Sequence, residues 1–287
     1  MDVAVPIGSN GVRTILVGLD GSTEGEAAVD LSLRWARETG ARLVGLGIVD
    51  EPTIRRPEPV PLGAGHFKRE RDERLLEDAR RRVEAFLGGF AGQCTEQGVS
   101  FEVLEKVGLP HEQIAVTGQC HDLVVLARQS HFHFETERGA DDTVKKVLRH
   151  TARPVVIVPP RPGGSGPVVV AYDGGVHAAR ALQAFQALGI ESAAEVLVVS
   201  VHDDASEAAE RAERAVAFLV SHGMPALRAT VVTSTSAAPA ILRVAQDVDA
   251  RLLVAGMRDR RRLTQLFTGS TTQALLQGAQ VPLFLSH

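Results

Sequence analysis

The sequence predicts an α/β protein built from two tandem doubly wound domains, each an open, mainly parallel five-stranded sheet flanked by helices. Three observations predict this fold. Residues 14–22 (TILVGLDGS) and 167–175 (PVVVAYDGG) repeat one pattern, an apolar strand that ends in Asp-Gly. Strand-like and helix-like segments alternate strictly in both halves. The strands are continuous apolar runs, which indicates that helices cover both faces of the sheet.

The first half contains five predicted strands and the helices that join them. Ser22 and Thr23 offer an N-cap to the first helix, and Gly40 supplies its end. A loop punctuated by proline and glycine is expected at 53–68, where it would be a lid or a contact surface. The strands are expected at 15–19, 43–49, 101–107, 123–126 and 155–158.

A highly charged helix is expected at residues 69–90. The stretch 68–82 (KRERDERLLEDARRR) mixes both signs of charge at i,i+4 spacing, which indicates a solvated helix face. The apolar stripe of this helix is expected at Leu75, Ala79, Val83, Phe86 and Leu87.

The second half repeats the same order of elements. Its strands are expected at 168–172, 195–201, 227–232, 252–255 and 283–285. The Pro/Gly/Ser stretch RPGGSG cannot continue a strand or a helix, so it is predicted to be a linker. The predicted organisation is a tail at 1–12, a first domain at 13–160, the linker at 161–166 and a second domain at 167–287.

The composition excludes several classes of protein. The chain is 44% hydrophobic and 23% charged with a net charge of −4, which argues against a nucleic-acid-binding surface. Its two cysteines lack disulfide or metal spacing. No apolar run approaches the roughly 20 residues that cross a bilayer, and the first residues do not read as a signal peptide. We therefore expect a cytoplasmic protein with neither nucleic acid nor membrane as a partner.

The segment after the fourth strand of the second half has the chemistry of a phosphate site. The strand ends at Gly256, and Gly269-Ser270-Thr271-Thr272 then opens a helix. A glycine lets a ligand approach the backbone, and a helix N-terminus presents N–H groups and hydroxyls to an anion. Asp173 ends the first strand of this half at the same sheet edge, where a carboxylate can accept from a ribose hydroxyl or hold a hydrated metal ion.

On these residues the sequence resembles the universal stress protein family, and specifically its tandem members. Nucleotide-binding members carry G-x2-G-x9-G-[ST] after the fourth strand and an aspartate after the first. The second half reads Gly256-x2-Asp259-x9-Gly269-Ser270, so only the second glycine is replaced. The segments VLRHTARPVVIVP and GSTTQALLQGAQVPLFL also resemble the last helix and fifth strand of the family. The resemblance covers nearly the whole chain.

The resemblance implies a non-catalytic regulatory or protective stress protein that binds ATP, with Mg²⁺, in its second domain. Asp173 would face the nucleoside and Val201 would offer backbone to the adenine, while residues of the motif surround the phosphates. Asp259 departs from the pattern because a carboxylate repels a triphosphate, and Arg258 would offset it or belong to a solvated basic turn. The residues assigned to this site are Asp173, Val201, Gly256, Arg258, Asp259, Gly269, Ser270, Thr271 and Thr272. The family also implies that the last strands of the two domains pair, and it leaves open a homodimer of the chain.

The first half departs much further from the motif. Ala127, Ser130 and Ala140 replace the three glycines by one count, and Asp141 and Asp142 replace Gly269 and Ser270 by another. A helix that begins Asp-Asp-Thr is capped by its own side chains, so the first half is not expected to bind ATP.

The segment 130–142 (SHFHFETERGADD) of the first half has two interpretations. If it is extended, His131, His133 and Glu135 share one face and could ligate a transition metal once His111 or His121 converged on them. Otherwise it is a loop with an exposed polar face and two buried phenyl rings.

Two other functions stay open at this point. One is a slow Mg-dependent ATP hydrolase that uses Asp173 and the cradle 269–272, and the other is a partner-binding stress protein with no nucleotide in either domain. We find no G-x-S-x-G elbow, no GxxxxGK[ST] loop and no catalytic cysteine setting, so no catalytic residue is assigned.

Overall fold

The computed structural model describes residues 11–59, 61, 65–133, 141–232, 236–257 and 270–287 of the chain. Within these residues the strands are β1 (Thr14–Leu19), β2 (Arg42–Val49), β3 (Phe101–Val107), β4 (Leu123–Ala127), β5 (Val155–Val158), β6 (Val168–Ala171), β7 (Val196–His202), β8 (Ala226–Val232), β9 (Leu252–Gly256) and β10 (Leu283–Ser286). The helices are α1 (Thr23–Thr39), α2 (Glu51–Ile54), α3 (Gly65–Glu96), α4 (Pro110–Gly118), α5 (Thr143–His150), α6 (Val176–Leu188), α7 (Ala205–Ser221), α8 (Ala237–Asp247) and α9 (Ser270–Gly278). No helix in these ranges combines the length and the apolar character that crossing a bilayer requires.

All the strands belong to one sheet in the order β3-β2-β1-β4-β5-β10-β9-β6-β7-β8. Each half contributes five parallel strands, and the halves meet where β5 and β10 run antiparallel, with Leu283 opposite Ile157 and Leu285 opposite Val155. The predicted α/β fold is confirmed, and the two predicted, mainly parallel sheets join into one through the predicted pairing of the last strands.

The strand order creates one crossover point in each half. β1 lies between β2 and β4, and β6 lies between β7 and β9, so the chain leaves each of these strands first to one side and later to the other. Helices connect to opposite faces on the two sides, which leaves a crevice at the carboxyl ends of the strands. Ligands of open α/β sheets bind in such crevices.

Two apolar layers cover the sheet. Helices α1, α3, α6 and α7 pack on one face, and α4, α5, α8 and α9 pack on the other. Successive residues of a strand enter opposite layers, as Val198 and Val199 of β7 do. This two-sided burial explains why the strands read as continuous apolar runs.

The ends of α1 follow the predicted caps. The Ser22 side chain accepts a hydrogen bond from the Gly25 N–H, and Gly40 ends the helix in the left-handed conformation with φ 75°. The predicted loop at 53–68 overlaps a helix at each of its ends. α2 begins at Glu51, where the Asp50 carboxylate accepts from the Thr53 N–H at 3.2 Å, and α3 begins at Gly65.

The prediction for α3 is correct in kind and wrong in detail. The helix spans Gly65–Glu96, longer at both ends than expected. Leu76 is buried in its stripe although it was not predicted there, and the predicted Leu75 is only partly buried against the same core. Asp72 is also on the buried face, where Lys68 and Arg71 pair with its carboxylate. The charged stretch is therefore not wholly a solvated face, because an aspartate with two cationic partners can be buried.

A buried glutamate joins the two halves on the α1 side of the sheet. Glu191 follows α6, and its carboxylate accepts from Trp35 Nε1 at 2.9 Å and from Arg34 Nη2 at 2.6 Å, both on α1. Arg251 lies 3.5 Å away on the second half. Glu191 has a φ of 53°, a conformation that costs free energy for a side chain of this kind.

Candidate functional site

A cavity of about 210 Å³ lies at the crossover point of the second half. The carboxyl ends of β6, β7 and β9 form its apolar floor through Ala171, Val199, Val201 and Ala255. This volume is below the roughly 300 Å³ of pockets that bury a drug-sized ligand. A flat ring fits the floor, and the rest of a larger ligand would extend through the mouth.

Asp173 stands at the mouth of the cavity. It follows β6 directly and is exposed, and its Oδ1 accepts from the Gly175 N–H at 2.8 Å across the turn that leads into α6. The turn holds the carboxylate at the sheet edge, the position that the sequence predicts.

Gly256 lines the cavity, but the structure gives a different reason for the glycine than ligand approach. A Cβ built on it would lie 2.5 Å from the His177 carbonyl carbon and 2.6 Å from the Ala178 nitrogen. Its missing side chain therefore points at the first turn of α6. The glycine allows β9 and α6 to pack closely, a role distinct from contact with a ligand.

Helix α9 begins at Ser270, beside the floor, as the motif predicts. Thr271 and Thr272 line the cavity, and the buried Thr272 has its Oγ1 at 3.5 Å from the Gly256 carbonyl oxygen. Of the other predicted site residues, Arg258, Asp259 and Gly269 lie outside the described residues, as does the side chain of Ser270.

Several lining residues were not predicted from the sequence, and three of them lie around the mouth and walls of the cavity. Tyr172 precedes Asp173, His177 lies in the first turn of α6, and Ile241 belongs to α8. His177 Nδ1 is buried and has no hydrogen-bond partner among the described residues. First-turn positions of helices that follow strands face the carboxyl edge of a sheet, a signal that could have identified His177.

Cationic side chains cover the turn that carries Asp173. Gly174 has φ 75°, and a Cβ built on it would lie 3.3 Å from Arg211 Cγ and 3.5 Å from Arg214 Nη2. In the first half the matching glycine, Gly21, is covered instead by the ring of Phe86. Arg211 also pairs with Glu207 at 3.2 Å, so the contacts show arginine side chains over this turn but no net positive charge at the mouth.

The matching aspartate of the first half is enclosed. Asp20 is 4% exposed, and its carboxylate accepts from the Ser22 N–H at 3.0 Å, the Ser22 hydroxyl at 2.7 Å and the His131 N–H at 2.8 Å. Both of its oxygens are therefore already engaged by the protein.

Phe132 fills the place that is open in the second half. The ring is 2% exposed, and its Cζ would lie 3.1 Å from a Cβ on Gly18. Gly18 stands two residues before Asp20, as Ala171 of the cavity floor stands two residues before Asp173. The ring lies in the apolar layer that, in the second half, surrounds the cavity.

The imidazoles of this segment do not form the predicted shared face. His131 is exposed and His133 is buried, because residues 132–133 turn instead of extending. His133 contacts the Asp50 carboxylate through Nδ1 and lies 3.5 Å from Thr143 Oγ1 through Nε2. Glu135 lies outside the described residues, and among the described ones no three His, Cys, Asp or Glu side chains are grouped to hold a metal ion.

The first turn of α5 is capped by one of the two expected carboxylates, that of Asp141, while Asp142 at the N-cap position makes no capping hydrogen bond. Asp141 Oδ1 accepts from the Thr143 N–H at 2.8 Å, and its Oδ2 accepts from the Phe132 N–H at 3.2 Å. Asp142 pairs with Lys146 at 2.7 Å. An anion would meet negative charge here.

Comparison with known proteins gives one family. The profile of the universal stress protein family matches residues 11–159 and again residues 165–287. A universal stress protein from Archaeoglobus fulgidus DSM 4304 has 16% identity and a TM-score of 0.71, with 96% of this chain and 97% of that chain covered. A Pseudomonas aeruginosa UCBPP-PA14 protein described as a universal stress protein has 20% identity and a TM-score of 0.60, with 96% and 94% covered. At these identities the likeness shows the fold alone. No curated protein matches the chain in sequence.

Proposed function

Because this chain belongs to the universal stress protein family, we propose that its second half binds an adenine nucleotide and that the protein acts as a non-catalytic, regulatory or protective stress protein of the cytoplasm. One observation carries the proposal. The crossover cavity is open in the second half, with Asp173 at its mouth, while chain atoms fill the matching place in the first half.

The apolar floor supports the binding of a nucleobase. β7 extends beyond its last partner on β6, since Ala171 pairs with Val199 and β7 continues to His202. The Val199 carbonyl accepts from the Tyr172 N–H, so by strand alternation the N–H and C=O of Val201 also face the β6 side, past the end of that strand. Both groups are available to the edge of an adenine ring in the cavity.

The polar mouth supports the rest of the ligand. An exposed carboxylate at Asp173 is a charge-assisted acceptor for a ribose hydroxyl. The first turn of α9, which begins at Ser270, offers N–H groups to phosphates. One carboxylate together with phosphate oxygens also suits Mg²⁺, which keeps several waters in such sites.

Calorimetric titration with adenosine, AMP, ADP and ATP in Mg²⁺ tests the proposal. We expect one nucleotide per chain and an affinity at least about tenfold weaker in Asp173→Asn, because a charged hydrogen bond is lost. Asp20→Asn is the matched control, which should leave nucleotide affinity unchanged. Two nucleotides per chain, or equal affinities in wild type and Asp173→Asn, would contradict the assignment.

A phosphate-release assay of the wild type and Asp173→Ala separates nucleotide binding from turnover. A slow ATP hydrolase would release phosphate from Mg-ATP and would lose that activity in Asp173→Ala. We expect phosphate release from the wild type to be equal to that of the Asp173→Ala variant.

A further inference from the structure

The segment Ser130–His133 is fixed to the edge of the first sheet by contacts from several elements. The His131 N–H donates to Asp20 after β1, the Phe132 N–H donates to Asp141 before α5, and the His133 ring contacts Asp50 after β2. These anchors hold the N–H of Phe132 and the residue on either side of it. The ring position is therefore specified by polar contacts as well as by its own burial.

This segment makes the same two contacts in the first half that a ligand would make in the second-half cavity. In the second half, a flat ring would lie on the floor formed by Ala171 and its neighbours, and a donor would meet Asp173. In the first half the Phe132 ring lies against Gly18, and a backbone N–H meets Asp20. The replacement of Ala171 by a glycine at position 18 gives the ring more room, since a Cβ there would be 3.1 Å from Phe132 and 2.5 Å from Leu126.

We infer that the first half retains a ligand site shaped for a planar aromatic ring, and that the chain itself occupies this site with Phe132. In the native protein the Phe132 side chain thus fills the site of the first half. This inference does not depend on nucleotide binding in the second half, because it rests on contacts within the first.

Removal of the ring should expose the site to an external aromatic molecule. Apolar cavities left by deleted side chains stay dry and can bind small aromatic rings. Indole is the appropriate probe, because it is planar and apolar and has no ribose. Asp20 stays engaged by the His131 N–H in Phe132→Ala, so a ribose would find no acceptor.

The experiment compares wild type, Phe132→Ala and Phe132→Leu by calorimetry and thermal unfolding, each with and without millimolar indole. We expect Phe132→Ala to bind one more indole per chain than the wild type does, and its melting temperature to rise by about 5 °C more than that of the wild type at saturating ligand. Phe132→Leu should bind no more indole than the wild type, because a side chain still fills the site, and any indole that both bind belongs to the open cavity of the second half. If Phe132→Ala folds poorly, refolding in indole should restore the native circular dichroism.

A folded Phe132→Ala that binds no indole, or a poorly folded one that indole does not rescue, overturns the inference. A folded Phe132→Ala that binds the same number of indoles as the wild type also overturns it, since all of the ligand would then lie elsewhere. Indole binding to Phe132→Ala together with no adenine nucleotide binding to wild type would support this inference and reject the proposed function. The two conclusions can therefore fail separately.

Discussion

At the scale of single residues, the environment of an aspartate distinguishes the two halves. Asp20 and Asp173 occupy the same place in the repeat, at the end of the first strand of each half. Asp20 is enclosed by hydrogen bonds from Ser22 and His131, while Asp173 is exposed at a cavity. Position in the motif therefore does not decide how exposed such a carboxylate is, because residues distant in sequence enclose one of the two.

The two cysteines should differ sharply in reactivity. Cys94 is buried in α3, and burial raises the pKa of its thiol to about 11, so about one thiol in a thousand is ionised at pH 8. Cys120 is exposed. We expect Ellman's reagent to modify one thiol per native chain at pH 8 and both in denaturant. Cys120→Ser should abolish the native reaction and Cys94→Ser should preserve it, whereas two native thiols of equal rate would show that α3 opens readily.

At the scale of elements, the close packing of β9 on α6 positions the candidate site. Gly256 is the last residue of β9 and the first residue of the motif. The backbone of His177 and Ala178 packs against it. This contact sets the distance between the floor of the cavity and the helix that follows Asp173. These backbone atoms cannot move aside to admit a larger side chain at position 256, as the end of a flexible side chain could.

A methyl group at position 256 should therefore destabilise the second half. We expect Gly256→Ala to lower the free energy of unfolding by about 1–3 kcal/mol, the usual cost of overpacking, in urea titration followed by circular dichroism. Gly92→Ala in α3 is the matched control, because nothing lies within 4 Å of its Cβ position. The control should stabilise the chain by about 0.5–1 kcal/mol through helix propensity. Equal effects of the two substitutions would contradict the packing role.

The elements were predictable where one local signal dominates, and the site was predictable only in part. Every predicted strand agrees with the structure to within one residue at each end, because burial on both faces leaves an unambiguous apolar run. The start of α3 was placed four residues too late, because the helix begins at Gly65 and glycine is unfavourable in helices. Asp173 and the start of α9 follow from the repeat. The enclosure of Asp20 by His131 depends on contacts 111 residues apart, which no local pattern indicates.

At the scale of the whole molecule, the two halves form one continuous sheet with further contacts between them on its α1 face. β5 and β10 pair edge to edge, and the Val12 N–H donates to the Leu188 carbonyl at 2.7 Å. On the α1 side, Glu191 of the second half accepts from Trp35 and Arg34 of the first. The glutamate side chain is only 3% exposed, so the junction contains a buried charge that must remain paired.

Acid should weaken this junction. Burial favours the protonated form of Glu191, but hydrogen bonds from Arg34 and Trp35 outweigh it and hold the pKa of the carboxyl below its ordinary value. A carboxyl whose pKa is lower in the folded chain stabilises the fold above the unfolded pKa, about 4.3. That contribution is lost as the pH falls through the lower, folded value. Trp35 is the only tryptophan of the chain, so its fluorescence reports on this contact.

We expect Glu191→Gln to lower the free energy of unfolding at pH 7 by about 2 kcal/mol. This is less than the 3–5 kcal/mol typical of a fully buried pair, because the Arg34 side chain is 35% exposed and partly screened by water. Below pH 4 the difference between wild type and variant should shrink, since the wild-type carboxyl becomes protonated. Glu102→Gln removes an exposed partner of Arg42 and should cost at most about 1 kcal/mol at either pH. A difference between wild type and Glu191→Gln that stays constant from pH 7 to pH 3 would mean that the charge of Glu191 does not hold the halves together.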